Sequence, residues 1–263
     1  MGKARSRTPA ATEGEQRVVA VGDIHGQSTM LRNMLEQLDR FDLGEEDVLL
    51  FLGDYVDRGE NSKAVIDMLI DLSGRRGNVV YLRGNHEQLM LDARAEWLQA
   101  MQQGATDTAS LQVMLNWLQN GGEETLDSYG VISWRDWPAA IPEAHWRFIE
   151  DTREEYTTPA HHFVHAGLLP PGMGWEGEEW SLDPRLWIRE PFLSSDHDFA
   201  GRLVVFGHTP QPSGRPFHGF QKIGLDTGAV YGGPLTAALF TENAAGKRRH
   251  RILQVRHIAS ASS

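Results

Sequence analysis

The chain contains no cysteine, which excludes a disulfide framework, a thiolate zinc site, an iron–sulfur cluster and a cysteine nucleophile. It also lacks long apolar runs: the longest, residues 48–52, has five residues, whereas a bilayer-spanning helix needs about 20. Residues 1–17 lack the apolar stretch of a secretory signal. We therefore expect a cytoplasmic protein with no membrane partner.

Basic residues are the minority among the charges. Lys and Arg number 25 against 36 Asp and Glu, giving a net charge of −11. Such a field repels a polyanion, so nucleic acid is not expected as a partner. Carboxylates also serve as ligands of hard metal ions, so the positions of these acidic residues matter more than their sum.

Short Val-rich runs that end at glycine or a polar group predict buried strands. These runs are residues 17–21, 47–52, 78–82, 162–164 and 203–206, and the segments 222–226, 235–240 and 251–256 also have strand character. Apolar residues at helical spacing predict one helix from a Ser28 cap to Leu38. A second is predicted between an Asn61/Ser62 cap and Gly74. This alternation favours an α/β fold whose parallel sheet carries helices on both faces.

No linker or repeat divides the chain, so we expect one folded domain over residues 17–258. Residues 1–16 and 259–263 are polar without periodicity and are expected to be disordered tails. Residues 87 to about 156 are expected to form a helical insertion that caps one side of the sheet. Residues 170–182 and 210–219 are expected to be loops.

Five of the predicted strands end in side chains that can bind a metal ion. In a parallel α/β sheet, ligands bind just beyond the carboxyl ends of the strands. Oxygen and imidazole donors together suit Mn²⁺, iron or Zn²⁺, and six donors exceed the need of one tetrahedral ion. One such residue alone would indicate only a loop cap, but the ordered set predicts a metal centre. The donors are Asp23, His25, Asp54, Asn85, His165 and His208.

The same segments resemble a known family. Residues 22–26 (GDIHG), 53–59 (GDYVDRG) and 84–87 (GNHE) are similar to three motifs of the phosphoprotein phosphatase branch of the calcineurin-like metallophosphoesterases. Small bacterial and bacteriophage-lambda-type enzymes share further features, found here at residues 118–122, 187–190, 206–210 and 225–230. The resemblance runs from about residue 18 to about 240. It implies an α+β sandwich of central sheets flanked by helices, with a dimetal site at the carboxyl ends of the strands.

The resemblance also implies the division of the ligands between two divalent ions, manganese first, with iron or zinc as alternatives. One ion would take Asp23, His25 and Asp54, and Asp54 would bridge to the other. The second ion would take Asp54, Asn85, His165 and His208. A hydroxide bridging the ions would attack phosphorus in line, with no phosphoenzyme.

Further roles follow from the resemblance. Arg58 and Arg189 are expected to bind phosphate oxygens through their planar guanidinium groups, beside Asn85. For Arg189, an ordinary exposed pairing with Glu190 stays open. His86 is expected to be the general acid, held protonated and oriented by Asp57. Three flanking residues have lesser expected roles: Arg83 supports the site, Asp226 shapes a loop and Tyr231 lines the pocket. Pro210 stands where many nucleases of the wider superfamily carry a further histidine, which argues against a nuclease.

Three functions remain open at this point. The leading one is a metal-dependent protein serine/threonine phosphatase, monomeric or weakly oligomeric, acting on phosphorylated proteins or small phosphomonoesters. A symmetrical bis(5'-nucleosyl)-tetraphosphatase shares the metal motifs, but commonly lacks the equivalent of Asp57 and often has aspartate at Glu87. A non-catalytic scaffold typically loses ligands, and all six are present here.

Overall fold

The computed structural model describes residues 17–41, 43–104, 111–133, 135–242 and 248–257. The tails expected at 1–16 and 259–263 lie outside these residues. Among the helices in the described ranges, none is both long and apolar enough to cross a bilayer.

One five-stranded sheet contains both ends of the described chain. Its strands are β1 (Val18–Val21), β2 (Val48–Phe51), β3 (Val79–Tyr81), β9 (Leu235–Glu242) and β10 (Arg248–Val255). The order is β10-β9-β1-β2-β3, in which β1, β2 and β3 run parallel. Val18 of β1 lies opposite Val48 on one side and opposite Phe240 of antiparallel β9 on the other. The predicted βαβ units therefore form the parallel half of this sheet.

A second five-stranded sheet follows the helical insertion. Its strands are β4 (Glu155–Thr157), β5 (His161–Val164), β6 (Leu203–Phe206), β7 (Phe217–Gly219) and β8 (Lys222–Gly224). The order is β4-β5-β6-β8-β7; the three central strands are parallel and the two edge strands are antiparallel to their neighbours.

The two sheets pack against each other. Alternate residues of β1 divide between two cores: Val19 and Val21 pack in the helix-facing core, whereas Val18 and Ala20 pack with Phe163 and other residues of the second sheet. The α+β sandwich that the resemblance implied is therefore confirmed, whereas the single parallel sheet with helices on both faces that the strand and helix pattern favoured is wrong. A strand buried on both faces has the same apolar sequence whether a helix or another sheet covers it, so the pattern could not distinguish the two.

The helices of the first half lie on the outer face of the first sheet. Helix α1 (Ser28–Leu38) matches the predicted range, but its N-cap is Gln27, not Ser28, and no side chain caps it. Helix α2 (Ser62–Arg75) is capped by Asn61, whose side chain accepts the Ala64 backbone N–H at 3.1 Å. The expected stop at Gly74 falls one residue before the end of this helix.

The insertion is helical over most of its predicted length. It contains α3 (Asn85–Gln103), α4 (Gln112–Trp117), a π-helical turn at Leu118–Gly122, α5 (Glu123–Ser128), α6 (Trp137–Ala140) and α7 (Glu143–Glu150), and the later α8 (Pro184–Trp187) borders the second sheet. Strand β4 begins at Glu155, near the approximate end predicted for the insertion, whereas the expectation of loop throughout 210–219 is wrong, because β7 occupies its last three residues. Both are three-residue edge strands that are largely exposed, so they carry no apolar alternation to predict them.

Candidate metal centre

The turns that follow five parallel strands meet at one point between the two sheets. Asp23 and His25 follow β1, Asp54 follows β2, and Asn85 begins α3 directly after β3. From the second sheet, two histidines arrive after β5 and β6, namely His165 and His208. All six predicted donors are at most 5% exposed. The structure thus brings the whole predicted ligand set into one buried cluster.

Asp54 lies at the middle of this cluster. Its Oδ2 is 3.4 Å from Nε2 of His25, and its Oδ1 is 3.4 Å from Nε2 of His165. Two groups of potential ligand atoms share it, His25–Asp54–His86 and Asp54–His165–His208, each within 4.8 Å. Asn85 joins the second group, because its Oδ1 lies 3.0 Å from Nε2 of His165 and 2.9 Å from Nδ1 of His208.

Each of the three histidines that face these oxygens is anchored by its other ring nitrogen to a backbone carbonyl. His25 Nδ1 donates to the carbonyl of Val56 at 2.9 Å, and His165 Nδ1 donates to that of Leu52 at 2.8 Å. His208 Nε2 donates to the carbonyl of residue 187 at 3.2 Å. Because the anchored nitrogen carries the proton, the nitrogen facing the cluster has a free lone pair, the form in which imidazole binds metal.

The turns that aim these side chains have unusual backbone conformations. His25, Asp54 and His208 have φ values of 44°, 53° and 62°, in the left-handed region that non-glycine residues rarely adopt. Gly53 also has positive φ, and a Cβ there would lie 2.6 Å from the backbone nitrogen of Gly84. Such strain is concentrated at functional sites, where the surrounding structure holds it in place.

The electrostatics of the cluster fit divalent cations. Burial raises the pKa of Asp23 well above its usual value, with Asp226 and Asp54 adding to the effect. Asp23 Oδ2 accepts the His208 backbone N–H at 2.9 Å, whereas its buried Oδ1 has no hydrogen-bond partner. Burial lowers the pKa of His25 to about 3, so this ring stays neutral. Buried carboxylates, an unpartnered buried oxygen and neutral imidazoles together form a donor set that a divalent metal ion would complete.

Asp54 differs from Asp23 in that its pKa is lowered rather than raised. Burial alone would raise its pKa, but the surrounding histidines, His165 first, outweigh burial and hold the pKa well below its usual value. The carboxylate at the centre of the cluster is therefore in the form that can bridge cations.

Glu87 connects the two central turns, a role that sequence reasoning missed. Its carboxylate accepts the backbone N–H groups of Asp54 at 2.8 Å, Tyr55 at 2.8 Å and Gly84 at 2.9 Å. Burial, with Asp54 adding, raises the pKa of Glu87 to about 7. The side chain fixes the turn after β2 against the start of α3, and so fixes Asp54 relative to Asn85.

His86 has a different partner from the other histidines. Its Nδ1 lies 2.8 Å from Oδ2 of Asp57, and both side chains are at most 1% exposed. The Asp57 carboxylate also accepts from the indole Nε1–H of Trp117, at 3.0 and 3.1 Å, and from the Thr125 hydroxyl at 2.7 Å. Burial would lower the pKa of His86, but Asp54 and Asp57 outweigh it and raise the pKa.

The two predicted phosphate-binding arginines occupy different positions. Arg58 lies at the cluster: its Nη1 is 3.0 Å from Nε2 of His25, and its backbone N–H donates to the carbonyl of Gly121 at 3.1 Å. Arg189 is exposed, and its positive charge is one cause of the lowered pKa of His208, after burial and His165. The carboxylate of Glu190 bonds to the Ser194 hydroxyl at 2.5 Å rather than to Arg189.

Two flanking residues, Arg83 and Asp226, make the supporting contacts expected of them. Arg83 donates to the Thr152 hydroxyl at 3.0 Å and to the side chain of Gln88 at 3.2 Å. Asp226 Oδ1 accepts the Gly228 backbone N–H at 2.9 Å, which shapes the loop before the exposed Tyr231.

Comparison with known proteins agrees with this geometry. A family model for calcineurin-like phosphoesterases matches residues 16–212. Serine/threonine-protein phosphatase 1 of Salmonella typhimurium is 32% identical over 235 residues, which cover 84% of this chain and 90% of that protein. Both findings confirm the resemblance that the motifs predicted.

Two solved structures share the fold. A serine/threonine phosphatase of Saccharomyces cerevisiae superimposes with a TM-score of 0.54 at 16% identity, covering 93% of this chain and 81% of that one. A protein provisionally assigned as a diadenosine tetraphosphatase gives 0.52 at 24% identity, covering 92% and 96%. The family model and the Salmonella relative show that the chain belongs to the calcineurin-like phosphoesterase family, whose members depend on divalent metal ions.

Proposed function

We propose that this protein is a protein serine/threonine phosphatase with a site for two divalent ions, manganese the first choice. It would act in the cytoplasm as one domain over residues 17–258, monomeric or weakly oligomeric, on phosphorylated proteins and small phosphomonoesters. The observation that carries the proposal is the buried His86–Asp57 pair beside the Asp54 cluster, since hydrolysis of an alkyl phosphate needs an acid as well as metal ions. The name of the Salmonella relative supports the substrate class.

The two groups that share Asp54 support two ions rather than one. Asp23, His25 and Asp54 would hold the first ion, and the second would take Asp54 with the donors Asn85, His165 and His208. When bound, such ions would lower the pKa of a water molecule and neutralise charge on phosphoryl oxygens. The neutral amide of Asn85 limits the negative charge that faces an anionic substrate.

His86 is assigned as the general acid because of what holds it. The three ligand histidines donate to backbone carbonyls, whereas His86 donates to the Asp57 carboxylate at 2.8 Å. A buried carboxylate favours the charged imidazolium, which carries a second proton on Nε2. That proton would pass to the oxygen of the leaving serine or threonine, and Asp57 would keep the ring oriented.

Arg58 would bind phosphate oxygens and stabilise charge in the transition state. Its guanidinium contacts His25 at the edge of the cluster, and its backbone is fixed at a φ of 67° against the carbonyl of Gly121. Arg189, exposed beside the second ligand group, would provide a further guanidinium contact.

The tetraphosphatase alternative shares these metal residues. Asp57 argues against it, because enzymes of that class commonly lack this aspartate, whereas here it makes the hydrogen bond to His86 and accepts from Trp117. The fold likeness to a provisionally assigned diadenosine tetraphosphatase does not distinguish the two activities.

A metal-reloaded activity panel tests the proposal. Protein stripped with chelator is reloaded with Mn²⁺, Fe²⁺ or Zn²⁺ and assayed on phosphoserine peptides, p-nitrophenyl phosphate and diadenosine tetraphosphate. We expect no activity without metal and efficient phosphate release from the peptides with Mn²⁺. Preferred release of ADP from diadenosine tetraphosphate would overturn the assignment.

A further inference from the structure

A cavity of about 490 Å³ opens beside the candidate centre. Two loops, 210–214 and 227–233, form its walls together with Arg256. The first loop begins two residues after His208. The second carries Tyr231, whose ring centroid lies 6.0 Å from the guanidinium carbon of Arg58. The cavity therefore begins next to the proposed phosphate-binding arginine.

The lining of this cavity is positively charged in an otherwise acidic protein. Arg256 is the one charged side chain among the described residues that line it, and none of these residues is a carboxylate. Within the part of the chain that the structure describes, Arg256 forms no ion pair. The whole chain has a net charge of −11, so an unpaired guanidinium at such a wall marks a local attraction for anions.

The walls are tied to the first sheet. The Gln254 side chain of β10 donates to the carbonyl of Gly214 at 2.9 Å and to the Thr236 hydroxyl at 2.9 Å. Thr227 donates to the carbonyl of Pro234 at 2.6 Å, which anchors the second loop. Because both loops are held by β9 and β10, the cavity is formed before a ligand arrives, as ligand sites usually are.

Arg256 itself follows the last residue of β10. One of its terminal nitrogens lies 3.9 Å from the position that a Cβ on Gly214 would take. The guanidinium is thus placed against the loop, with solvent on its other side.

We propose that this cavity is an anion subsite for the substrate, in which Arg256 binds a carboxylate of a residue close to the phosphorylated serine or threonine. The proposal rests on the proposed phosphatase function and narrows its substrates to phosphoproteins with acidic residues near the phosphorylation site. Tyr231 and Arg256 line the same cavity, and the Tyr231 ring lies 6.0 Å from the Arg58 guanidinium, which connects the subsite to the proposed phosphate-binding arginine.

The test compares phosphoserine peptides that differ only in charge. One carries glutamate on both sides of the phosphoserine, and the other carries glutamine at the same positions. The wild type, Arg256→Gln and Arg249→Gln are assayed on both with Mn²⁺. Arg249→Gln is the matched control, because it removes the same charge from β10 at a position seven residues before Arg256, about 24 Å away along an extended strand. The ratio of the two kcat/KM values within each variant cancels any general loss of activity.

We expect the wild type to favour the acidic peptide on the order of tenfold, the effect of one hydrogen bond to a charged group. Arg256→Gln should bring the ratio to about one, whereas Arg249→Gln should keep the preference. Equal rates for the two peptides in the wild type, or a preference that survives in Arg256→Gln, would overturn the subsite.

Failure of the phosphatase function gives a different result. If the wild type hydrolyses p-nitrophenyl phosphate but neither peptide, the proposed function is wrong. The same peptides then serve as inhibitors of p-nitrophenyl phosphate hydrolysis, because a bound phosphopeptide blocks the centre without being cleaved. Stronger inhibition by the acidic peptide, lost in Arg256→Gln, would still support the subsite, and equal inhibition by both would refute it.

Discussion

The two halves of the candidate centre are held by different kinds of partner. In the ligand half, His25, His165 and His208 bond to backbone carbonyls. In the acid half, the His86–Asp57 pair is held by Trp117 and Thr125, two side chains from the helical insertion. The first arrangement uses backbone carbonyls after β2 and at the end of α8, whereas the second depends on how the insertion packs.

This difference predicts that metal binding and proton donation can be disturbed separately. Backbone carbonyls stay in place when a nearby side chain changes, so substitutions outside the ligands should disturb the ligand half little, except at Glu87, whose carboxylate fixes Asp54 relative to Asn85. Side-chain donors are lost by single substitutions, so the acid half should be adjustable from a distance. The leaving group of the substrate distinguishes the two, since p-nitrophenolate departs without a proton and a serine alkoxide does not.

The largest effect should come from the residue that both ligand groups share. Asp54→Asn should lose metal and activity together, to below about a thousandth of the wild-type rate on every substrate, because both ions lose a charged ligand. Metal content by mass spectrometry and turnover on a phosphoserine peptide and p-nitrophenyl phosphate measure this. Asp71→Asn, an exposed carboxylate on α2, is the control. An Asp54→Asn protein with two metals and a near-normal rate would contradict the bridging position.

His86→Asn should break the acid half alone. We expect a loss of about 10²- to 10⁴-fold on phosphoserine peptides and a much smaller loss on p-nitrophenyl phosphate, because only the alkoxide needs the proton. Metal content must be shown to be normal in the same preparation. An equal loss on both substrates, with both metals bound, would mean that His86 is a ligand or a support rather than the acid.

Arg58→Ala should weaken substrate binding while leaving the backbone anchors of the ligand half and the His86–Asp57 pair in place. Losing one charge-assisted contact in the transition state should cost about 2–4 kcal/mol in kcat/KM. Inhibition by free phosphate should weaken in parallel, while metal content stays at the wild-type level. Unchanged phosphate inhibition would place Arg58 outside the phosphate site.

The ligand half could be predicted from the sequence, whereas the partners of Asp57 in the acid half could not. The ligand residues stand directly after buried strands, so local patterns were enough to find Asp54, His165 and the others as strand-end donors. Trp117 and Thr125 lie 60 and 68 residues from Asp57, and their contacts with it arise only when the insertion folds back. From the sequence alone, a tryptophan in a predicted helix indicates only a residue of the hydrophobic core. The signal present in the sequence is the Gly121-Gly122 pair; in the structure Gly121 has a φ of 108° and lies against the Arg58 backbone, where the insertion meets the centre.

The smallest effect, and the sharpest test of the acid half, is Trp117→Phe. The indole is fully buried, packs 4.9 Å from the Trp137 ring and donates to both oxygens of Asp57. Phenylalanine retains an aromatic ring there but removes the donor, so the Asp57 carboxylate loses one of its anchors and orients His86 less well. We expect kcat on phosphoserine peptides to fall about tenfold, the size of one hydrogen bond to a charged group, with little change on p-nitrophenyl phosphate.

Trp146→Phe is the matched control for this prediction. Its indole is also buried, donates to the carbonyl of Pro138 at 3.0 Å and packs 5.7 Å from the same Trp137 ring. It therefore removes an indole donor from the same core without touching Asp57. Both variants should lower the melting temperature, because each replaces a buried tryptophan by a smaller ring. Only Trp117→Phe should make the loss of rate depend on the leaving group. If Trp146→Phe shows the same dependence, or if Trp117→Phe slows both substrates equally, the insertion stabilises the fold without orienting the acid.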